Sequence, residues 1–269
     1  MPRVATWNLW WRFGPWEARQ AAIAGVLAAE QPDVVGLQEV WVEENGINQA
    51  SALAERLGLY AAVGDLRFHN GLAFTNAVLS RWPIAESVSQ PLPGLDGGPS
   101  HRNVLGATVD APFGRFVFAS THLDYRFDAS ATRQAQTAAV AEFMAERRND
   151  PATGYPAVLV GDFNAIPTSD EIRILTGEKT PAVAGLVFTD AWSTAGDGSP
   201  GHTWHSANPY LTDATWPNRR LDYILVSWPR TKPAGTAIRC WTAGREPIDG
   251  VVASDHYAVV ADLAVPATL

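Results

Sequence analysis

The 269-residue chain has one cysteine, Cys240, which excludes a disulfide framework and any cysteine-based zinc site. It lies in the apolar stretch Ala237-Ile238-Arg239-Cys240-Trp241, where a small buried hydrophobe is expected. Lysine is almost as scarce. Positive charge comes from 18 Arg and 2 Lys against 28 Asp+Glu, a formal net charge of −8. The arginines are scattered singly apart from Arg147/Arg148 and Arg219/Arg220. A basic stripe that would grip long nucleic acid through many phosphates is therefore missing. No window reaches the ~18 apolar residues of a membrane span. Met1-Pro2-Arg3 runs into Val4-Ala5-Thr6-Trp7 without the apolar segment of a signal peptide. The expectation is a soluble, cytoplasmic protein with no obligate protein partner evident. Several chemical signatures are missing too: Gly-x-x-x-x-Gly-Lys, Gly-x-Gly-x-x-Gly after a strand, Gly-x-Ser-x-Gly and His-Glu-x-x-His. Their absence argues against nucleotide cradles, a serine nucleophile elbow and a zinc hydrolase.

What is present begins with composition. With 46% hydrophobic and 18% charged residues, the chain can bury a sizeable core, and disorder is excluded as its main state. An internal repeat follows at an offset of 114 residues: Thr6-Trp7-Asn8-Leu9-Trp10-Trp11-Arg12 then Arg19-Gln20 matches Thr121-His122-Leu123-Asp124-Tyr125-Arg126 then Arg133-Gln134. Each copy reads as a strand, a polar tip, a helix (about 17–30 and 131–148) and a second strand. The apolar runs Val34-Val35-Gly36-Leu37 and Ala157-Val158-Leu159-Val160-Gly161 suit strands covered on both faces. They end on Gln38-Glu39 and on Asp162-Phe163-Asn164, the strand ends where α/β sheets bind ligands.

Elsewhere, 71–81 and 83–91 read as a strand pair. Residues 104–110 and 115–120 flank a hairpin turn at Ala111-Pro112-Phe113-Gly114. Later strands are expected at 220–228, 237–242 and 257–265. Helices are expected at 49–57 and after Thr168-Ser169-Asp170-Glu171, and irregular segments at 94–102 and 196–219. The pattern predicts one α/β domain over 1–269, two sheets packed face to face with helices outside.

Five strand ends deliver polar groups: Asn8, Glu39, His122, Asp162 with Asn164, and Asp255-His256. Asp222, inside Arg220-Leu221-Asp222-Tyr223-Ile224, is costly to bury without a partner. Singly, each has an ordinary account as a turn cap, a solvated acid or an Asx-turn. Their coincidence at strand ends, twice in register with a repeat, favours a site. Oxygen and amide donors with two histidines and no thiolate suit a hard cation, Mg²⁺ or Mn²⁺. Glu39 alone could anchor it, and metal-assisted hydrolysis of a phosphate ester is the chemistry that remains.

The motifs Thr6-Trp7-Asn8-Leu9, Gly36-Leu37-Gln38-Glu39-Val40, Asn76-Ala77-Val78-Leu79-Ser80-Arg81, Thr121-His122-Leu123, Gly161-Asp162-Phe163-Asn164, Asp222-Tyr223-Ile224 and Ser254-Asp255-His256, in that order, resemble the endonuclease/exonuclease/phosphatase superfamily. The resemblance implies a four-layer α/β sandwich of two mixed β-sheets flanked by helices, in two pseudo-symmetric halves. It implies that Glu39 is the main Mg²⁺ ligand, helped by Asn8, with Asp255 beside the metal or on it. Asp162 with Asn164 would orient or deprotonate the attacking water. His256, its ring fixed by Asp222, would face the phosphate as base or stabiliser, and His122 would donate to a non-bridging oxygen. Superfamily substrates range from nucleic acids to sphingomyelin and inositol phosphates, so the set does not fix the substrate. The Thr-His-Leu form is unlike the apurinic-site nuclease branch. A small or lipid-linked phosphate ester is the leading expectation; a nuclease of short or single-stranded nucleic acid is the alternative.

Arg126, four residues after His122, is a candidate substrate contact, with a surface ion pair the equal alternative. Arg81 and Arg102 are weaker candidates. Of the 11 Trp, Trp7 and Trp192 read as core. Trp10, Trp11, Trp16, Trp41, Trp204 and Trp216 lie near the tips, where they could stack on a substrate or pack the loops; Trp10 and Trp204 are the substrate candidates.

Overall fold

The computed structural model describes residues 1–95, 97–211 and 215–266; the expected irregular segments fall outside it at 96 and 212–214. In chain order the elements are β1 (Arg3–Asn8), α1 (Trp16–Glu30), β2 (Val34–Glu43), α2 (Gln49–Leu57), β3 (Tyr60–Val63), β4 (Leu72–Ser80), β5 (Ile84–Pro93), β6 (Pro99–Ala111), β7 (Gly114–His122), α3 (Ser130–Arg147), β8 (Val158–Asp162), α4 (Asp170–Thr176), β9 (Val187–Asp190), α5 (Ala191–Ala195), β10 (Asp222–Trp228), β11 (Ala237–Ala243) and β12 (Ala258–Leu263).

The strands form two six-stranded sheets, ordered β11-β12-β1-β2-β4-β3 and β5-β6-β7-β8-β10-β9. The orders superpose position for position, with β1-α1-β2 equivalent to β7-α3-β8. Each of those strand pairs is parallel and all other pairings are antiparallel. One apolar cluster, with Val4, Val34, Val78, Val160 and Ile224, fills the space between the sheets. A second joins the first sheet to α1 and α2, and a third joins the other sheet to α3 and α4. The result is the expected four-layer sandwich. Close approach of the sheets requires Gly36: a Cβ there would lie 2.4 Å from Val160 Cγ2.

Local signals set the helix ends. Asn48 caps α2, its side chain accepting from Ser51 N at 2.7 Å, and Gly58 closes it at φ 67°. Pro32 follows the end of α1, where Gln31 adopts φ 51°. No helix among the described residues is long and apolar enough to cross a membrane.

Three sequence expectations need correction. Residues 71–81 and 83–91 do not pair: β4 sits between β2 and β3, whereas β5 is an edge strand of the other sheet. Burial explains this, since β4 is covered along most of its length and β5 is largely open. Pro91 and Pro93 also suit an edge. Strand β2 does not end at Glu39. It continues to Glu43 through a register shift between Leu37 and Val40, with Glu39 at φ 56°. Finally, 94–102 is not all irregular, because β6 begins at Pro99. The hairpin turn is as expected, closing with Ala111 opposite Gly114.

Candidate active site

The matching sheet orders bring equivalent strand tips to one edge, around a cavity of about 490 Å³. Strand β1 ends in Asn8, β7 in His122 and β8 in Asp162. Antiparallel β10 starts there with Asp222, so Asp162 is the register partner of both His122 and Asp222. The bulge in β2 turns Glu39 out of the strand alternation, giving its side chain to the cavity while Val40 stays in the core. Beneath this floor, buried Gln38 crosses between sheets, donating to Ser120 Oγ at 2.9 Å and Thr6 Oγ1 at 3.1 Å.

The internal repeat has a structural meaning that its sequence did not disclose. Arg19, wholly buried, donates to the carbonyls of Leu9, Trp10, Trp11 and Phe13 in the loop after β1, and to Ala253 before Asp255-His256, at 2.7 to 3.0 Å. Its repeat partner Arg133 donates to the carbonyls of Asp124 and Arg126 after β7 and is anchored by Glu171 at 2.9 Å. Each arginine replaces the missing backbone donors of an irregular tip.

At the centre, Asn8 Nδ2 donates to Asp162 Oδ2 at 3.0 Å and to Glu39 Oε1 at 3.3 Å. Asp162 Oδ1 accepts from Asn164 N at 2.9 Å, and its Oδ2 lies 3.4 Å from His122 Nε2 and 3.9 Å from His256 Nε2. His256 Nδ1 meets Asp222 Oδ2 at 2.9 Å, directing Nε2 toward Asp162. Among these site residues, the buried oxygens Glu39 Oε2 and Asp222 Oδ1 have no hydrogen-bond partner.

Burial, and then the charge of Asp255, raise the Glu39 carboxyl from 4.5 to about 7. Burial with Asp222 raises Asp162 from 3.8 to about 6, and burial also raises Asp255. Burial opposes a charge on His256, yet Asp222, Asp162 and Asp255 outweigh it and hold its pKa well above the ordinary value. His122 goes the other way: burial and the Arg102 charge hold it well below, so it is neutral. Arg102 Nη1 lies 2.9 Å from His122 Nδ1. An arginine can only donate, so Nδ1 accepts and the ring proton sits on Nε2, which faces Asp162 Oδ2 at 3.4 Å and the Asn164 amide at 3.1 Å. Four carboxylates here meet few cations, an imbalance that a divalent ion would offset.

Of the residues singled out in the sequence, Asn8, Glu39, His122, Asp162, Asn164, Asp255 and His256 all line the cavity with Trp10 and Trp204, and Asp222 stands behind His256. Arg126 does not line it. Asp124, two residues earlier, accepts from its Nε at 2.9 Å and pairs with its guanidinium, so the surface ion pair is what forms. Trp16 and Trp41 lie away from the cavity around Arg12, and Trp41 is buried. Sequence reasoning ranked Arg102 low and missed Arg219, Phe74 and Phe127 as cavity residues. Arg102 lies inside β6, three residues after Pro99, and nothing local in the sequence marks it or the other three as cavity residues.

Residues 5–256 match the sequence profile of the Endonuclease/Exonuclease/phosphatase family. No curated protein matches the chain. Among solved structures, an endonuclease/exonuclease/phosphatase from Beutenbergia cavernae is 28% identical, with TM-score 0.75 over 98% of this chain and 71% of that one. TDP2 of D. rerio, complexed with single strand DNA product, is 22% identical, with TM-score 0.76 and 97% of each chain covered. Bacteroides thetaiotaomicron mannosyl-6-phosphatase is 21% identical, with TM-score 0.73 over 98% of this chain and all of the other.

Proposed function

We propose that this chain, which belongs to the endonuclease/exonuclease/phosphatase family, is a divalent-metal-dependent hydrolase of a small phosphate ester with an organic alcohol group. Hydrolysis of phosphoester bonds is the family's chemistry. The observation that carries the metal is Glu39 Oε2, buried without a partner beside Asp255. A carboxylate so placed needs a cation to stay ionised at neutral pH. Glu39, with Asn8 and Asp255, would hold Mg²⁺ or Mn²⁺, whose all-oxygen preference the donors satisfy. When bound, the ion polarises the phosphate and offsets its charge. Asp162, Asp222 and His256 also place donor atoms within 4.8 Å of one another. The 2.9 Å bond between Asp222 Oδ2 and His256 Nδ1 turns the ring's Nε2 toward Asp162, a relay geometry that suits proton handling.

The chain's own residues divide the remaining work. Asp162, ionised above about pH 6, orients the attacking water and accepts its proton. His256, cationic through the pull of Asp222, donates from Nε2 to the phosphate oxygens as charge builds on them. His122 donates from Nε2 with its tautomer fixed by Arg102. Asn8 ties the carboxylates of the two halves together. On the alcohol side the walls are Trp10, Phe13, Phe74, Phe127, Trp204 and Leu221, an apolar surface that favours an organic ring over a polyol. Of the small and lipid-linked esters, a concave cavity of about 490 Å³ supports the small one.

The test is hydrolysis of bis-p-nitrophenyl phosphate. EDTA is expected to abolish it and Mg²⁺ or Mn²⁺ to restore it, with Glu39→Gln or His256→Ala lowering kcat by about 10²-fold or more. Undiminished turnover in EDTA overturns the reading. A nuclease of short single strands is a second reading, favoured by the aromatic walls, on which bases stack, and by the DNA product bound to D. rerio TDP2. It predicts a steep fall of oligonucleotide binding with salt.

A further inference from the structure

Arg219 is a cavity-lining cation that the proposed chemistry does not use. Other arginines are matched: Arg12 to Glu43, Arg126 to Asp124, Arg133 to Glu171 and Arg220 to Asp190. Among the described residues, the Arg219 guanidinium has neither a carboxylate nor a hydrogen-bond acceptor. The charge that bears on it is another cation, Arg133. Its only compensation is two ring faces, Phe127 at 4.8 Å and Trp216 at 5.0 Å. Those rings stack on each other at 4.1 Å and 21° while remaining 53% and 46% exposed. Stacked aromatics left half open beside an unmatched guanidinium form a surface with unused capacity for a planar or charged group.

The backbone beneath is fixed. Arg219 N donates to Trp204 O at 2.8 Å, and Arg219 O accepts from Thr203 N at 2.9 Å and Trp204 N at 3.0 Å. Three residues later the chain reaches Asp222. The side chain therefore projects from a pinned base at the cavity wall. Among the described residues no hydrogen bond or ion pair ties its guanidinium to the phosphate-handling groups, whereas Arg102 is held 2.9 Å from His122 Nδ1.

We propose that Arg219, with Phe127 and Trp216, forms a second oxyanion subsite that takes a carboxylate or phosphate carried on the alcohol portion of the substrate. This rests on the cavity being the substrate site of a phosphoester hydrolase, and it narrows the substrate class to esters with two separated anionic groups around a ring.

The experiment uses 2-phenylethyl phosphate and its para-carboxylate and para-phosphonate analogues, whose leaving alcohols are alike. KM and kcat are measured at fixed ionic strength with Mg²⁺ for the wild type, Arg219→Gln and Arg219→Lys. Equilibrium titrations of the same esters, read by tryptophan fluorescence, run beside the kinetics. In the wild type each doubly anionic ester is expected to show a KM about five- to tenfold below that of the parent, with little change in kcat. Arg219→Gln should bring that ratio to one, and Arg219→Lys should restore part of it. A preference for the carboxylate or for the phosphonate identifies which oxyanion the subsite takes. A ratio of one in the wild type, or one that survives Arg219→Gln, overturns the proposal. If neither these esters nor bis-p-nitrophenyl phosphate turns over but the Arg219-dependent binding preference is present, the subsite stands and the hydrolase reading falls.

Discussion

Replacing Glu39 by Gln isolates the electrostatic tension at the centre of the site. Glutamine has the shape of the protonated acid and can still accept the hydrogen bond from Asn8. In the metal-free protein the Glu39 carboxyl is raised from 4.5 to about 7, so the fold favours its neutral form. As pH rises through this window the unfolded chain releases the proton first and the folded chain keeps it. The unfolded state then binds fewer protons, and stability falls with rising pH. The full interval corresponds to about 3 kcal/mol, and contact of the side chain with the open cavity reduces this to about 2 kcal/mol. Metal-free Glu39→Gln is therefore expected to match the wild type near pH 4.5. At pH 8 it should exceed the wild type by about 2 kcal/mol, or roughly 4–8 °C in Tm. Mg²⁺ should reverse the order at pH 8 by stabilising only the wild type. His256 and Asp162 titrate in both proteins, so the comparison largely cancels them. Urea denaturation in EDTA and in Mg²⁺ at both pH values reads this directly. A Glu39→Gln protein that is less stable than wild type in EDTA at pH 8, or a difference that does not vary with pH, refutes the reasoning.

Other substitutions probe the same frame. Asp222→Asn leaves the hydrogen bond to His256 but removes the largest charge sustaining its imidazolium; kcat on bis-p-nitrophenyl phosphate should fall about 10²-fold with KM little changed. Arg19→Met strips five carbonyls of their donor and should cost about 3–5 kcal/mol in urea denaturation, with activity lost ahead of global unfolding. Gly36→Ala forces a methyl against Val160, and a loss of about 1–3 kcal/mol is expected from differential scanning calorimetry.

The parts of this molecule legible in the sequence were those with a period or a repeat. Continuous apolar runs marked β2 and β8, and the offset match of Asn8 with His122 disclosed that the halves are related. What was not legible depended on choices between elements. Nothing local distinguishes β4 pairing with β5 from β4 pairing with β2 and β3; the decision comes from which strand must be covered on both faces. The short strands β3 and β9, four residues each, carry too little pattern to stand out. At the site, Asn8, Glu39, Asp162 and His256 were legible as polar groups where apolar runs stop or start. Arg102 and Arg219 were not, because their importance lies in what they face across the cavity. Arg126 misled for the same reason: its spacing from His122 was regular, but Asp124 was nearer.

The geometry around β1 has a consequence for when the protein can act. Thr6 pairs with Val259, Trp7 Nε1 donates to the His256 carbonyl at 2.9 Å, and Ser254 Oγ donates to the Asn8 carbonyl at 2.6 Å. Those two side-chain bonds span 249 and 246 residues of sequence. The strand that supplies the first site residue therefore lacks one of its two neighbours, β12, until some 250 residues after it have been made. Such long-range closure is slow and late in folding. A chain made only as far as β10 holds Asn8 and Glu39 but neither Asp255 nor His256, so the site is assembled only after the segment leading into β12 has docked against β1.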